Sequence, residues 1–216
     1  MKLIKKIFYT GEITLVTGLH IGGSNTTMSI GGPDNFVIRN PLNNMPYIPG
    51  SSLKGKMRAL VEIVNGCAKV GNDKEANNLF GVSADNEDSH PSRLIVRDGQ
   101  LLIEGMEKAF ANTDMPYTES KTEVNIDRIT SKTNLRTFER VPAGAKFSLN
   151  MVLNIFDSDN EEALKKTLDK AIELLHDDYL GGSGSRGYGQ VKIDWEKIKE
   201  ESIVKEYTTN GAEIKS

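Results

Sequence analysis

Two long segments of alternating apolar residues, Lys2–Val16 and Phe147–Ile155, limit the folds open to this chain. Because successive strand residues point to opposite faces, a two-residue period predicts strands with one buried face. An amphipathic helix follows each segment, the first capped by Ser51 or Ser52 and the second running from Asn160 to about His176. Short strand-like runs follow both helices. The order β-α-β, insertion, β-α-β predicts an α+β, ferredoxin-like fold.

The same pattern predicts how the 216 residues are organised. Residues 1–195 are expected to form one domain, and residues 196–216 a charged C-terminal tail. A glycine-rich loop spans 18–35, and the polar stretch 71–90 is predicted to be a mobile loop. Residues 118–140 are basic and nearly free of large apolar side chains, yet they alternate as strands do, which predicts a β-hairpin protruding from the core.

Composition excludes several classes of protein. Hydrophobic residues make up 38% and charged residues 26% of the chain, and no apolar run is long enough for a membrane helix. Cys67 is the sole cysteine, so an internal disulfide and a cysteine-rich zinc site are excluded. These features predict a cytoplasmic protein that does not enter a membrane.

Charge is unevenly distributed around a formal net charge of −3. Between Lys121 and Lys146 six Lys or Arg residues accompany three acidic ones, whereas Asp157–Asp178 holds eight acidic residues and three lysines. An acidic protein is not a generic nucleic-acid binder, but a local basic region can still hold a polyanion because salt screens charges beyond about 8 Å. On charge alone, two ordinary solvated faces of opposite sign are the favoured explanation of the pattern.

Two stretches match phosphate-binding motifs only superficially. Gly182–Gly187 fits G-x-G-x-x-G, but a helix precedes it and a strand follows, the reverse of a dinucleotide fold. Gly50–Lys56 fits the phosphate loop of nucleotide triphosphatases, but Met57 stands where a hydroxyl should reach magnesium. Neither motif predicts a nucleotide enzyme.

What remains of both motifs is exposed backbone N–H groups beside the cations Lys54, Lys56, Arg58 and Arg186. Successive glycine N–H groups and capped helix starts favour phosphate. Five glycines in Gly181–Gly189 also exceed the one or two that a tight helix-to-strand turn needs. The pattern therefore favours binding to a phosphate backbone over turn geometry alone.

Several motifs in collinear order resemble one family, the backbone subunit of type III-A (Csm) CRISPR effector complexes in the RAMP superfamily. The resemblance extends from about Lys5 to Ile193. It is carried by "TGLHIGG" (Thr17–Gly23), "PGSSLKGKMR" (Pro49–Arg58), "IDRIT" (Ile126–Thr130), "ERV" (Glu139–Val141) and "DYLGGSGSRGYG" (Asp178–Gly189).

The resemblance implies an RRM-like palm with 118–140 as a thumb hairpin. It also implies head-to-tail assembly with copies of the same chain and other complex subunits along a guide RNA. In that family an aspartate in the first long loop, within a segment like "GAIDSPV", is required to cut complementary target RNA. The matching segment here is "GGPDNFV" (Gly31–Val37), so Asp34 is kept while its neighbours Pro33 and Asn35 differ.

RNA carries its own nucleophile, the 2′-hydroxyl, so a ribonuclease can act largely by positioning. Asp34 is the predicted catalytic residue. It would hold a divalent cation, with Mg²⁺ the best match, or orient the 2′-oxygen. The simpler alternative is a turn residue after Gly-Gly-Pro. The residues predicted to bind RNA are His20, Ser51, Ser52, Lys54, Arg58, Arg128, Arg136, Arg140, Gly182, Ser183, Gly184, Ser185 and Arg186.

Three functions remain open at this point. The first is a guide-positioned endoribonuclease that is also a filament subunit. The second is a non-catalytic, structural RNA-binding backbone. In the hairpin itself, the basic residues fit a finger laid across a nucleic acid, and a solvated hairpin is the alternative. The third is a guide-processing endoribonuclease acting through a histidine, although His20 is better interpreted as a hydrogen-bonding partner of backbone or guide.

Overall fold

The computed structural model describes residues 1–23, 35–82, 89–208 and 211–215. Within these ranges the strands are β1 (Leu3–Leu15), β2 (Tyr47–Ile48), β3 (Leu94–Val96), β4 (Gly99–Leu102), β5 (Glu119–Ile126), β6 (Thr133–Arg140), β7 (Lys146–Phe156), β8 (Val191–Ile193), β9 (Ile203–Thr208) and β10 (Gly211–Lys215). The helices are α1 (Gly50–Val64), α2 (Lys74–Phe80), α3 (Glu107–Phe110), α4 (Glu161–Asp177) and α5 (Trp195–Glu200). Every helix in these ranges is too short or too polar to span a bilayer.

The two predicted long strands pair with each other and form the centre of the sheet. β1 runs antiparallel to β7 from Leu3↔Phe156 to Thr14↔Lys146. β8 lies against the far edge of β1, and β3 and β4 lie against the far edge of β7. The resulting order β8–β1–β7–β3, with α1 and α4 in contact with each other, is the arrangement expected for a split β-α-β fold. The α+β prediction is therefore confirmed.

Alternation in β1 and β7 supplies one half of the core, and the helix stripes supply the other. Ile7, Ile13, Phe147 and Met151 are at most 2% exposed, as the two-residue period requires. The stripes of the two helices are buried against them, and their buried members are Leu53, Met57, Leu60, Val61, Leu164, Leu168, Ala171, Ile172 and Leu175. Val64, the last residue of α1, is 56% exposed.

The start of α1 differs from the prediction that a serine caps it. Pro49 occupies the cap position, and no side chain caps the helix there. The N–H of Gly50 instead donates to the carboxylate of Asp98 at 2.8 Å. An acidic side chain from another segment thus satisfies a donor at the helix start, which leaves Ser51 and Ser52 as ordinary first-turn residues.

The predicted mobile loop 71–90 contains a helix, which corrects that expectation in part. Asp73 caps α2 by accepting from the N–H of Ala76 at 2.5 Å. Ala76, Leu79 and Phe80 are buried, at the i, i+3, i+4 spacing of a helix face. The surrounding sequence is mainly polar, so three apolar residues at helical spacing were not sufficient to predict this helix. Residues 83–88 lie outside the described residues.

The predicted tail 196–216 is wrong for the segment that the structure describes. Trp195 begins α5, its ring lies 5.0 Å from that of Tyr9, and its indole N–H donates to Asp169 at 2.7 Å. Ile198 is buried, and β9 pairs with β1 from Lys5↔Glu206 to Phe8↔Ile203. High charge suggested a tail, but two buried side chains and an open strand edge are sufficient to dock the segment.

The hairpin predicted over 118–140 is present as β5 and β6. These strands pair from Glu119↔Arg140 to Ile126↔Thr133 and form a two-stranded sheet separate from the main one. At the tip, Asp127 accepts hydrogen bonds from the N–H groups of Ile129 and Thr130. The large aliphatic side chains of the hairpin are at least half exposed, namely Val124, Ile126, Ile129 and Leu135.

Replacing Trp195 tests whether the C-terminal segment is part of the fold. We expect Trp195→Ala to lower the free energy of unfolding by about 3–5 kcal/mol, because a buried aromatic side chain and its hydrogen bond to Asp169 are lost. Equilibrium unfolding in urea measures the change. Lys197→Ala, on an exposed position of the same helix, should stay within about 0.5 kcal/mol of the wild type. A similarly small effect of Trp195→Ala would mean that the segment is a loose tail.

Candidate nucleic-acid interface

A buried carboxylate, that of Glu139, joins three segments at the base of the hairpin. Glu139 is 1% exposed, and one oxygen accepts from the Arg39 guanidinium at 2.5 Å and the Thr118 hydroxyl at 2.7 Å. Its other oxygen accepts from the N–H of Val37 at 2.8 Å. A buried charge is tolerated when it is paired and fully hydrogen-bonded. Glu139 therefore attaches residues 37–39 to β6.

Residues 21–23, in the first part of the predicted catalytic loop, lie at this same base. They pair antiparallel with residues 36–38 as a stem, in which Gly23 N–H donates to Phe36 O at 3.1 Å and Ile38 N–H to Ile21 O at 2.8 Å. The N–H of Glu139 donates to Asn35 O at 3.0 Å. Asp34 lies outside the described residues, but its chain neighbour Asn35 is held against the hairpin.

His20 is buried at the base of the hairpin, beside Phe138 and Glu139. Its ring is 8% exposed, packs edge-on against Phe138, and has Nδ1 2.6 Å from the carbonyl oxygen of Glu139. A carbonyl can only accept, so Nδ1 carries the proton. His20 therefore binds backbone, one of the two roles predicted for it, and its burial leaves little of the ring to contact RNA.

A second glycine-rich loop, residues 181–189 after α4, contacts the chain around His20 directly. The N–H of Gly182 donates to His20 O at 2.8 Å, and the N–H of Gly189 donates to Gly18 O at 2.9 Å. A side chain at Gly184 would overlap the Tyr179 ring, and one at Gly189, where φ is +77°, would overlap the Leu180 carbonyl. Packing therefore requires some of the glycines that sequence reasoning attributed to phosphate binding.

Part of the loop backbone nevertheless remains available to a ligand. Ser183 adopts a left-handed conformation with φ of +61°, and a single 3-10 turn, Gly184–Arg186, follows it. Within the described chain, the N–H groups of Ser183, Gly184 and Ser185 have no acceptor. Successive unpaired N–H groups in such a turn form an anion-binding concavity.

Lys54 and Arg58, the two residues of α1 predicted to bind RNA as cations, both make contacts within the protein. Lys54 Nζ lies 2.7 Å from the Ser92 hydroxyl, and burial together with the charge of Arg58 lowers its pKa. Arg58 donates to Glu62 at 2.9 Å, to Gly81 O at 2.9 Å and to Asn77 at 2.8 Å. Arg58 thus holds the end of α2 against α1, a role that its helical spacing did not suggest.

Lys56, a cation of the same motif that was not among the predicted RNA-binding residues, links α1 to the glycine-rich loop at residues 181–189. Lys56 Nζ lies 3.8 Å from the centre of the Tyr179 ring and 3.3 Å from the Asp178 carboxylate. Tyr179 in turn lies beneath Gly184. This contact brings together the first turns of α1 and the loop, two of the segments predicted to bind RNA. No sequence spacing connects residues 56 and 179.

A second cluster missed from the sequence joins the hairpin to the loop. Glu123 on β5 accepts from Arg186 at 2.6 Å and from the Tyr188 hydroxyl at 2.8 Å, and Lys121 lies 3.6 Å away. Burial raises the pKa of Glu123, but the Tyr188 hydrogen bond and the two cations outweigh it, so that pKa lies below its usual value. Burial and the bond to Glu123 raise the pKa of Tyr188 to about 12.

The hairpin arginines differ in their surroundings. Arg140 pairs with Glu119 at 2.6 Å and lies over the Tyr188 ring at 4.9 Å. Arg136 lines a cavity of about 360 Å³ together with Arg186, and Arg128 lies exposed at the hairpin tip. In the part of the chain that the structure describes, neither Arg128 nor Arg136 forms an ion pair. These two guanidinium groups remain available for phosphate.

The described residues contain no group of three metal-ligating side chains. Glu139, the carboxylate nearest in the hydrogen-bond network to Asn35, is fully used by Arg39, Thr118 and Val37. Glu139 is therefore not available as a ligand for a divalent cation beside Asn35.

Comparison with known proteins identifies the family of this chain. The model of the RAMP superfamily matches residues 12–192. The chain is 40% identical to the CRISPR system Cms endoribonuclease Csm3 of Methanothermobacter thermautotrophicus, over 94% of this chain and 89% of the relative. It is also 40% identical to the protein of the same name from Streptococcus thermophilus, over 94% of this chain and 92% of the relative.

Solved structures give the same result. The crystal structure of a Csm3–Csm4 subcomplex of the type III-A CRISPR-Cas interference complex matches with a TM-score of 0.60 at 30% identity, over 100% of this chain and 90% of that one. The crystal structure of Methanopyrus kandleri Csm3 shares the fold, with a TM-score of 0.60 at 21% identity, over 96% and 79% of the two chains. The protein therefore belongs to the RAMP superfamily and, within it, to the Csm3 family.

Proposed function

We propose that this chain is the backbone endoribonuclease of a type III CRISPR interference complex. It binds guide RNA, assembles with copies of itself and other subunits of the complex, and cleaves complementary target RNA at regular intervals. The observation that carries the proposal is the hydrogen bond from the Glu139 N–H to Asn35 O. It holds the residue next to Asp34 against the base of the hairpin, near the glycine-rich loop 181–189. The relatives named endoribonucleases make cleavage the expected activity.

Asp34 is proposed as the catalytic residue, acting through position. A target strand lying against the hairpin base would bring a scissile phosphate to the loop whose stem is fixed at Gly23 and Asn35. There the carboxylate orients the 2′-hydroxyl for in-line attack on the adjacent phosphate. The bond from the 2′-oxygen to phosphorus forms as the bond to the 5′-oxygen breaks, and the hydroxyl proton passes through solvent to the leaving 5′-oxygen, which gives a 2′,3′-cyclic phosphate and a 5′-hydroxyl. Mg²⁺ held by Asp34, when bound, would neutralise charge on the phosphate oxygens.

The hairpin is proposed as the thumb that crosses the guide–target duplex. Its exposed aliphatic side chains contribute nothing to the core, whereas a wedge that unstacks bases needs such side chains. Arg128 at the tip and Arg136 on β6 would neutralise phosphates beside the wedge.

The histidine-based alternative gains no support from the geometry. His20 is buried and bonded to a backbone carbonyl, which is a poor position for an acid or base acting on RNA. A purely structural backbone is the remaining alternative, and substitution of Asp34 separates it from the endoribonuclease.

In the purified complex, Asp34→Asn should abolish cleavage of complementary RNA while target binding and guide retention stay near wild type. The amide keeps the side chain's size but loses the charge that orients the nucleophile or holds a cation. Denaturing gel electrophoresis of labelled target RNA measures cutting, and a filter-binding assay measures affinity. Normal cutting by the variant would leave only the structural-backbone role.

Two controls examine the chemistry of that same cut. A 2′-deoxy substitution at one scissile position should silence that cut alone, since the nucleophile is absent there. Continued cutting at the deoxy position would show that water is the attacker. Chelation of divalent ions should reproduce the loss of cutting seen for Asp34→Asn, and full activity in chelator would exclude the cation.

Phosphate contacts should be independent of RNA sequence. We expect Lys54→Ala and Arg186→Ala each to weaken binding to every RNA tested and to reduce the slope of log affinity against log salt by about one. Arg58→Ala should also lower the free energy of unfolding by about 3 kcal/mol, because it leaves the buried Glu62 carboxylate unpaired. A loss confined to one RNA sequence would contradict phosphate binding.

Replacing the hairpin's four exposed aliphatic residues with serine tests the wedge. Val124, Ile126, Ile129 and Leu135 are at least 53% exposed, so the fold should tolerate the change. Cuts should become irregular or weak while the complex still assembles, which gel analysis of cleavage products and native mass measurement would report. An unchanged spacing of cuts would refute the wedge.

A further inference from the structure

The glycine-rich loop 181–189 and the hairpin border a small, positively charged cavity. The cavity has a volume of about 360 Å³ and is lined by Glu123, Val124, Asn125, Asn134, Arg136 and Arg186. Arg186 is half exposed, with 51% of its side chain accessible, and its second terminal nitrogen donates to the Ser183 hydroxyl at 2.9 Å. A ligand from solvent can therefore reach the guanidinium.

One carboxylate already occupies this site. Both oxygens of Glu123 are used, one by Arg186 at 2.6 Å and the other by the Tyr188 hydroxyl at 2.8 Å. Carboxylate and phosphate present oxygens of similar geometry to a guanidinium, so they compete for the same donors. With Lys121, Arg136 and Arg186 around the single charge of Glu123, three positive charges less one negative leave a net charge of +2. The site is therefore still attractive to a polyanion.

We propose that Glu123 is an internal stand-in for an RNA phosphate, which displaces its carboxylate from Arg186 when RNA binds. The inference rests on the proposed RNA-binding function and assigns Glu123 a role within it. Without RNA, the carboxylate satisfies the arginine and keeps it oriented. With RNA, a backbone phosphate accepts from Arg186, and Glu123 is left with Tyr188 and Lys121.

Displacement of the Glu123 carboxylate by RNA would also change how the hairpin is attached to the segment before β8. Glu123 belongs to β5, whereas Arg186 and Tyr188 belong to the segment that runs into β8. Loss of the Arg186 contact removes one of the ties between these two parts. The Lys121 and Arg140 contacts with the Tyr188 ring remain, so the base stays attached while that tie opens.

Removing the charge of Glu123 should therefore strengthen RNA binding. We expect the full-length Glu123→Gln protein to bind fluorescein-labelled polyuridine RNA about two- to fivefold more tightly than wild type in an anisotropy titration. This gain corresponds to about 0.4–1 kcal/mol, the size expected for one partly exposed ion pair. The amide can still accept from Tyr188, and an unchanged thermal midpoint would show that the fold is intact. Glu123→Asp, which keeps the charge but shortens its reach, should give an intermediate affinity.

Two comparisons separate this mechanism from a general charge effect. Glu12→Gln removes the same charge from an exposed pair with Lys146, outside the predicted RNA-binding residues, and should leave affinity within the error of wild type. In an Arg186→Gln background, Glu123→Gln should produce no gain, because the two residues act through each other. A gain that persists without Arg186, or an equal gain from Glu12→Gln, would overturn the proposal.

The remaining outcomes distinguish this inference from the function on which it rests. If wild type binds RNA and Arg186→Gln weakens binding, but Glu123→Gln binds like wild type or more weakly, displacement of Glu123 is wrong and RNA binding stands. If neither wild type nor any variant binds the RNA, both the proposed function and the displacement fail.

Discussion

The buried carboxylate of Glu139 is the contact on which the geometry of the candidate site depends. It is 1% exposed and satisfies donors from Arg39, Thr118 and Val37, while its backbone binds His20 and Asn35. Removing one partner from such a buried pair leaves an uncompensated charge, which costs several kcal/mol. The hairpin base, the stem of the Asp34 loop and the glycine-rich loop therefore share one fixed reference point.

Much of the fold was predictable because its central pair of strands is buried on one face. The two-residue period of β1 and β7 and the helix stripes of α1 and α4 are local signals that long-range packing reinforces. The C-terminal segment was not predictable in this way. Trp195 and Ile198 are too few to form a period, and β9 is a strand because the edge of β1 is open beside it.

The candidate site was likewise predictable only in part. Sequence motifs located the loops and the hairpin, since glycines and cations are visible one by one. They did not show that Arg58 donates hydrogen bonds to Glu62, Asn77 and Gly81, or that Glu123 pairs with Arg186. Such pairings join residues far apart in the chain. Charge type alone therefore overestimates how many cations are free to meet RNA.

The hairpin's separation from the main sheet makes it a lever. Its strands share no ladder with the eight-stranded sheet and are held at their base by side chains and isolated bridges. Eight residues at about 3.3 Å each give an arm of roughly 26 Å. A rotation of about 10° at the base would then move the tip by roughly 4–5 Å, close to the spacing of neighbouring strands. Small rearrangements around Tyr188 would thus be amplified into displacements as large as a step along a nucleic-acid strand.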